Sequence, residues 1–503
     1  MGKIVIIGAG MGGLAAAIRL ASDGHSVEVF EKNEREGGKL NRLERDGFRW
    51  DTGPSLLTMP FVYQELFEAA GRKLEDYVTL EPVDPVCRYA WLDGTQLDAS
   101  DSVGRMTAAL EKINPRDVRA YFRFMAYSRR LYDLTAKPFL FNGINHWRDF
   151  LKLNPLTAFK IDPFRTVHQA VKSYFRDPHL IQLFDRYATY NGSSPYKAPA
   201  TLNIIPYVEL GLGGWYLKGG LYELAQAYRR LAEELGVQVH CGPEFAVEEI
   251  LVKRGRATGL RLSNGQEVTA DRVIANTDVA YTEKNLLPVR QPWFNRSKKP
   301  GKATGLEPSC SGFVLFLGVN RQYPQLAHHN IFFSQDYAAE FDQIFTLCQP
   351  PFDPTIYVCW TGLTDPTHAP AGKSNLFVLV NAPYLSEAFD WDAPGATQAY
   401  RDLVIEHLEN FGLTGLSQSI EVEERMTPVD LARLYNADRG AIYGVSSNNR
   451  FSAFLRPPNR SRRFKNLYYV GGSTHPGGGV PLVTLSGKIV AGLIAQDELK
   501  RPA

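Results

Sequence analysis

Lys3-Ile4-Val5-Ile6-Ile7 is a run of β-branched apolar residues without polar alternation, the pattern of a strand buried on both faces. Leu14 to Ala21 is alanine-rich and helix-forming, and Ser26-Val27-Glu28-Val29-Phe30 predicts a second strand ending on Glu31. Farther along, Glu244 to Ile250, Thr258 to Ser263 and Gln266 to Ala270 predict a hairpin with an Asn264-Gly265 turn. Asp271 to Asp278 then returns a strand toward the first unit. Near the end, Asn466 to Val470 reads as a strand, followed by a glycine-rich loop and an apolar helix through Ile489 to Ala495. The expected class is α/β.

In a chain of 503 residues, 44% hydrophobic and 22% charged residues are ordinary for a globular protein, which excludes disordered, collagen-like and coiled-coil classes. The 56 basic and 54 acidic residues leave a net charge of +2, so no whole-molecule field attracts nucleic acid. Cys87, Cys241, Cys310, Cys348 and Cys359 are scattered without a CxxC spacing, as in a reduced chain. They provide neither a zinc ribbon nor a dithiol pair, and no metal site is expected. No segment reaches the roughly 18 uncharged apolar residues of a membrane-spanning helix. Ile4 to Ile18 has the length of a signal peptide, but its glycines at fixed spacing predict a folded, retained N-terminus.

Those glycines carry the first chemistry. Gly8, Gly10 and Gly13 form a G-x-G-x-x-G turn between strand and helix, with Gly12 beside them and Glu31 lying 23 residues after Gly8. Gly8 permits the tight turn, Gly10 lets backbone approach a pyrophosphate, and Gly13 lets the helix pack closely on the sheet. The helix start offers free N–H groups to phosphates. Glu31 can accept the ribose hydroxyls and repels a 2′-phosphate. After it come Lys32, Gly37-Gly38-Lys39 and Asp51-Thr52-Gly53-Pro54. An acid followed by a Gly-Gly-basic turn resembles the FAD signature of the flavoprotein superfamily that includes amine oxidases. No second G-x-G-x-x-G occurs, so FAD alone is expected, without a separate nicotinamide dinucleotide. Lys32, Gly38, Lys39, Gly53, Pro54 and Val247 are assigned to its site. Gly471, Gly472, Gly478, Gly479, Val480 and Pro481 join them, because a glycine loop and a helix start suit a flat ligand that becomes anionic on reduction.

The middle of the chain is different. From 121 to 216, 20 of 96 positions are aromatic, against 12% of the whole chain. Tyr121, Phe122, Phe124, Trp147, Phe150 and Phe164 interleave with Arg123, Arg129, Arg130, Arg148, Lys152 and Arg165. Two readings remain open: an aromatic helical core with a solvated basic face, or a surface that docks on an anionic membrane. Asp185 and Glu209, carboxylates among apolar neighbours, are the candidates for accepting a proton. His475, between Thr474 and Pro476, is read as shaping its loop.

With these motifs placed, the chain resembles the bacterial-type carotenoid desaturase family, which includes phytoene and diapophytoene (dehydrosqualene) desaturases. The resemblance rests on Gly8 to Gly13 with Glu31, Gly37-Gly38-Lys39, Asp51 to Pro54, Trp215 to Gly220, and Gly471 to Pro481. Tyr323 to Asn330 and Arg439 to Val445 are similar instead to the related diaponeurosporene oxygenases, while Thr474-His475 favours the desaturases. The resemblance implies a desaturase that passes a hydride from a linear C30 or C40 polyene to FAD. Oxidation of a terminal methyl group is the alternative. A soluble amine oxidase or a non-catalytic FAD- or lipid-binding protein is more remote. It also implies a peripheral, monotopic enzyme on the cytoplasmic face of the cell membrane, with oxygen or a quinone as electron acceptor. The implied organisation is a Rossmann-like FAD-binding domain drawn from residues 1–80, 220–300 and 460–503. A helical, membrane-facing insertion occupies 81–219, and a mixed-sheet substrate domain occupies 301–459.

Overall fold

The computed structural model describes residues 2–141, 160–288, 307–449 and 456–499. Lys3–Ile7 is the middle strand of a five-stranded sheet, ordered Leu467–Tyr469, Arg272–Ala275, Lys3–Ile7, Ser26–Glu31, Gln238–Cys241. All four pairings are parallel. The first strand is buried on both faces, as its uninterrupted apolar run requires. Ile4 and Ile6 pack with the helix Met11–Ser22, and Val5 and Ile7 pack with Val273, Ala275 and Leu260 on the other face. The helix begins before Leu14 and includes Gly12 and Gly13 in its first turn.

The hairpin predicted after residue 244 is a three-stranded antiparallel sheet, Val247–Lys253, Arg256–Leu262 and Glu267–Thr269. Asn264-Gly265 turns between the last two strands, and Arg254-Gly255, both at positive φ, makes the turn that the sequence pattern did not single out.

A seven-stranded sheet forms the other half, ordered Ile420–Met426, Ser311–Val319, Ser374–Ala382, Ile356–Cys359, His329–Phe332, Cys87–Ala90, Gln96–Ala99. Cys87–Ala90 runs parallel to His329–Phe332, and the remaining pairs are antiparallel. Two of these strands therefore come from the stretch 81–219 that was read as helical. The reason is period: Cys87 and Tyr89 are buried while their neighbours Arg88 and Ala90 are half-buried, an alternation of two.

Helices Val103–Ile113, Pro115–Thr135, Val167–Tyr174 and Pro178–Asp185 pack beside this sheet. Pro115 opens its helix at the position where a missing N–H costs nothing, and the Asn114 side chain accepts from Arg116 N. Tyr121, Phe124, Phe175 and Phe184 interlock in this core, with Phe175 and Phe184 stacked at 4.6 Å. Phe122 and Phe164 face outward. Trp147, Arg148, Phe150 and Lys152 lie outside the described residues.

Among the described residues, one helix, Val480–Leu499, is long and apolar enough to cross a membrane by length and composition alone. The helix carries Lys488, Asp497 and Glu498, and its charges are paired: Lys488 Nζ donates to Glu65 at 2.8 Å and Tyr468 OH to Asp497 at 2.7 Å. Leu485, Val490 and Ile494 are core residues. A Cβ at Gly487 would lie 2.7 Å from Ala16 N, so this helix meets Met11–Ser22 almost backbone to backbone.

Candidate functional site

A cavity of ≈ 690 Å³ begins at the turn after the first strand and extends between the two large sheets. Its first wall is Gly8, Gly10, Gly12, Glu31 and Lys32, continued by Gly38, Lys39, Gly53, Pro54 and Val247. Gly471, Gly472, Gly478, Gly479, Val480 and Pro481 face it from the C-terminal loop. Gly13 stands behind this wall. A Cβ there would fall 2.3 Å from Gly8 O, which is backbone and cannot yield, so the residue sets how closely the helix approaches the turn.

Glu31 is a buried acid at the strand end. Its Oε2 accepts from Ala9 N at 2.9 Å and its Oε1 from Asn33 N at 3.0 Å. Burial nevertheless pushes its carboxyl above the usual value. Lys32 ties the turn to the far side of the cavity by donating to Arg433 O and Asn436 Oδ1, both at 2.7 Å. Lys39 donates to the carbonyls of Ala441 and Ile442, and burial lowers its ammonium to about 8 despite the nearby Asp278. Asp51 accepts from Leu221 N at 2.9 Å and Tyr222 N at 3.2 Å, which joins the Asp51–Pro54 motif to the stretch after Trp215.

Three further residues line the cavity. Asn276, at the end of its strand, donates to Gly8 O at 3.2 Å, and Cβ atoms added at Gly10, Gly12 or Gly471 would each come 2.8 Å from its amide. Arg456 donates to Gly472 O at 3.0 Å and Asn191 Oδ1 at 2.6 Å, and burial lowers its guanidinium to about 10. Arg186 is the third. The only signal for Asn276 was its place after a predicted strand, and Arg456 left none, because its partner Asn191 is distant in sequence.

The rest of the wall is mainly apolar. Val314, Phe377 and Leu379 contribute from the seven-stranded sheet, and Met59, Phe139, Leu140, Val208 and Leu482 from the helical side. Of the two acids singled out by sequence, Glu209 lies on the wall and Asp185 does not. Glu209 Oε1 accepts from Tyr187 OH at 2.9 Å and from Arg186 Nη2 at 3.3 Å, and Tyr190 OH donates to Oε2. Asp185 pairs with His168 Nδ1 at 2.6 Å, and burial raises its carboxyl to about 6.

One group of donors was not anticipated. A ring nitrogen from each of His328 and His329 and the Cys359 thiol lie within 4.8 Å of one another, all buried, in an arrangement able to hold a metal ion. Burial keeps both imidazoles neutral, with His328 down to about 3, and pushes the thiol far above its usual value.

Comparison with known proteins converges on this arrangement. The model for flavin containing amine oxidoreductases matches residues 11–495. The chain is 41% identical over 497 residues to the 4,4′-diapolycopene oxygenase of Methylomonas sp, covering 98% of each. It is 39% identical over 505 residues to the 4,4′-diaponeurosporene oxygenase of Staphylococcus aureus (strain MSSA476), covering 99% of each. Putrescine oxidase bound to putrescine has a TM-score of 0.63 at 15% identity, covering 98% of this chain and 99% of that one. Cyclohexylamine oxidase from Brevibacterium oxydans scores 0.61 at 15%, covering 99% and 100%. At that identity the two amine oxidases share the fold alone.

Both of these relatives bear oxygenase names, whereas Thr474-His475 had favoured the desaturases. Thr474 is buried off the cavity wall, with its Oγ1 donating to Pro457 O at 2.7 Å, while His475 beside it lines the cavity. The glycine cradle, Glu31 and the C-terminal helix start fit a dinucleotide with a flat ring system. The chain belongs to the flavin containing amine oxidoreductases, in their carotenoid desaturase and oxygenase family, and is an oxidoreductase whose cofactor is FAD.

Proposed function

We propose that this chain oxidises a terminal methyl group of a linear C30 or C40 carotenoid. The observation that carries the reading is the continuity of one cavity from the glycine turn at Gly8 to an apolar wall at Val208 and Leu482, in a chain similar over its full length to two carotenoid oxygenases. FAD, when bound, supplies a two-electron acceptor. Gly8, Gly10 and Gly12 hold its phosphates by close backbone approach, with Gly13 fixing the helix behind them, and Glu31 takes the ribose hydroxyls. Val247, Lys32, Gly38, Lys39, Gly53, Pro54 and the Gly471 to Pro481 loop would complete the cradle around it. Val314, Phe377 and Leu379 orient the polyene and exclude water, which strengthens every polar interaction at the reacting end. Of the two acids singled out by sequence, Glu209 is the one on the wall and is the candidate for holding a proton. The reaction balances as methyl plus water giving alcohol plus two protons and two electrons: a single water supplies the oxygen atom, and oxygen or a membrane quinone is the final electron acceptor.

Substrate enters from a membrane surface on which the protein docks peripherally. Phe61 is 41% exposed and packs edge-on against Phe141 at 6.3 Å, beside the apolar cluster of Met59, Val208 and Leu482. Arg129, 67% exposed on the neighbouring helix, supplies positive charge for anionic headgroups.

The test is product mass. Expressed in a bacterial host that makes C30 or C40 polyenes, the protein should yield pigments heavier by one oxygen, or by one oxygen less two hydrogens. Pigments lighter by two hydrogens per step, with absorption at longer wavelength, would restore the desaturase reading. Turnover of amines with peroxide release, and none of polyenes, would overturn both.

A further inference from the structure

Arg186 is a cation fixed on the wall of a largely apolar cavity. It follows the helix Pro178–Asp185 and opens the turn Arg186–Asn191, which places Tyr187 and Tyr190 around its side chain. The guanidinium lies over the rings of Tyr187, Tyr190 and Tyr89 at 4.6, 5.0 and 5.3 Å. Its side chain is 8% exposed, and its one carboxylate partner is Glu209, 1% exposed. Three rings and an ion pair therefore hold it still, so a ligand binding there would not have to order it.

Its donors are only partly used. Nη2 donates to Tyr89 OH at 2.7 Å and to Glu209 Oε1 at 3.3 Å. Among the described residues Nε has no hydrogen-bond partner. Unpaired guanidinium N–H groups in a buried place are costly, and an acceptor arriving with the substrate would remove that cost. The charge balance states which acceptor. Glu209 already neutralises Arg186 and is itself saturated by Tyr187 and Tyr190, so a carboxylate would bring a second negative charge beside Glu209. A neutral carbonyl or hydroxyl oxygen brings none.

We propose that Arg186 binds the neutral oxygen of an aldehyde- or alcohol-ended polyene, so that a chain already oxygenated at one end is a preferred substrate. The proposal rests on the terminal-oxidation reading and adds the determinant of specificity. Arg186 acts as a specificity residue, by hydrogen bonding to the chain end.

The experiment uses the FAD-loaded protein and two polyenes of equal length, one a hydrocarbon and one a mono-aldehyde. A conjugated aldehyde that accepts a hydrogen bond from a cation absorbs at longer wavelength, and a hydrocarbon has no such acceptor. Wild type is expected to shift the bound aldehyde to longer wavelength than it does the hydrocarbon, and to favour it about tenfold or more in kcat/KM. Arg186→Met combined with Glu209→Gln, which leaves no unpaired buried charge, should abolish the extra shift of the bound aldehyde, a readout that needs no turnover, with FAD content intact. Arg186→Lys should retain part of the shift, because a point charge replaces the fork.

An equal shift for both polyenes in wild type overturns the proposal without any variant, as does a double variant that keeps flavin and the extra shift. Product analysis of the mono-aldehyde tells which end is held: new oxygen at the opposite terminus means the far end, further oxidation of the same terminus the reacting end. If wild type shows the extra shift but adds oxygen to no polyene, the terminal-oxidation reading fails while the binding site stands.

Discussion

The glycine turn at Gly8 and the aromatic stretch from Tyr121 to Tyr216 are built on opposite rules. In the turn, each residue answers a local backbone demand, and what it does is written within a few positions of itself. In the aromatic stretch the same residue type serves two ends: Phe124 is buried in a core of Phe175 and Phe184, while Phe122, two residues earlier, is 43% exposed. Helical phase and distant partners make that choice. Interleaved aromatic and basic residues therefore describe a helix with one apolar and one charged face as well as they describe a membrane surface, and the structure shows the core that fills much of the stretch.

The sharpest way to break the contrast is at the turn. Gly13→Val places side-chain atoms where a Cβ alone is 2.3 Å from Gly8 O, and the purified protein should carry no FAD by absorbance. A yellow, stoichiometrically loaded variant would remove the turn from the cofactor site.

Next in size is the buried pair. Arg186→Met alone strands Glu209 and should destabilise the protein by about 3 kcal/mol or more in denaturant unfolding. The double change with Glu209→Gln should recover most of that loss. Equal destabilisation in single and double variants would mean that packing on the tyrosine rings, not charge pairing, holds this wall.

A pH experiment separates Asp185 from the cavity. Its carboxyl is raised to about 6 from the ordinary 3.8, so between those values the folded protein holds a proton that the unfolded chain releases. Its contribution to stability is therefore full below about 3.8, falls as pH rises through about 6, and is flat above. Asp185→Asn should lack that fall when denaturant midpoints are compared with wild type across this range. Parallel pH profiles for the two proteins would show that the acid is ionised throughout.

The smallest effect belongs to the surface. Arg129→Glu with Arg130→Glu should weaken sedimentation with anionic liposomes, by about 1 kcal/mol per lost basic contact, and leave FAD content unchanged. Arg129 has a loose partner in Asp133 at 3.8 Å and 67% exposure, so stability should change by less than about 0.5 kcal/mol. Liposome binding unaffected by both reversals would place the docking face elsewhere.

Read alone, the chain determined the parallel unit from Lys3 to Glu31, the return strand before Asn276, the C-terminal glycine loop and the dinucleotide it serves. Each of these is dictated by residues adjacent in sequence: β-branched runs make strands, and glycines admit backbone to backbone. Tertiary structure decided the rest. It paired Cys87–Ala90 with His329–Phe332, set Asn276 among five glycines of two distant loops, and turned Val480–Leu499 into a core helix. It put Glu209 on the cavity wall and Asp185 behind it, although both had looked alike as acids among apolar neighbours. The physical reason is one of range. Backbone conformation is chosen by the residue and its neighbours, whereas burial, charge pairing and the shape of a cavity depend on partners hundreds of positions away, which no local pattern records.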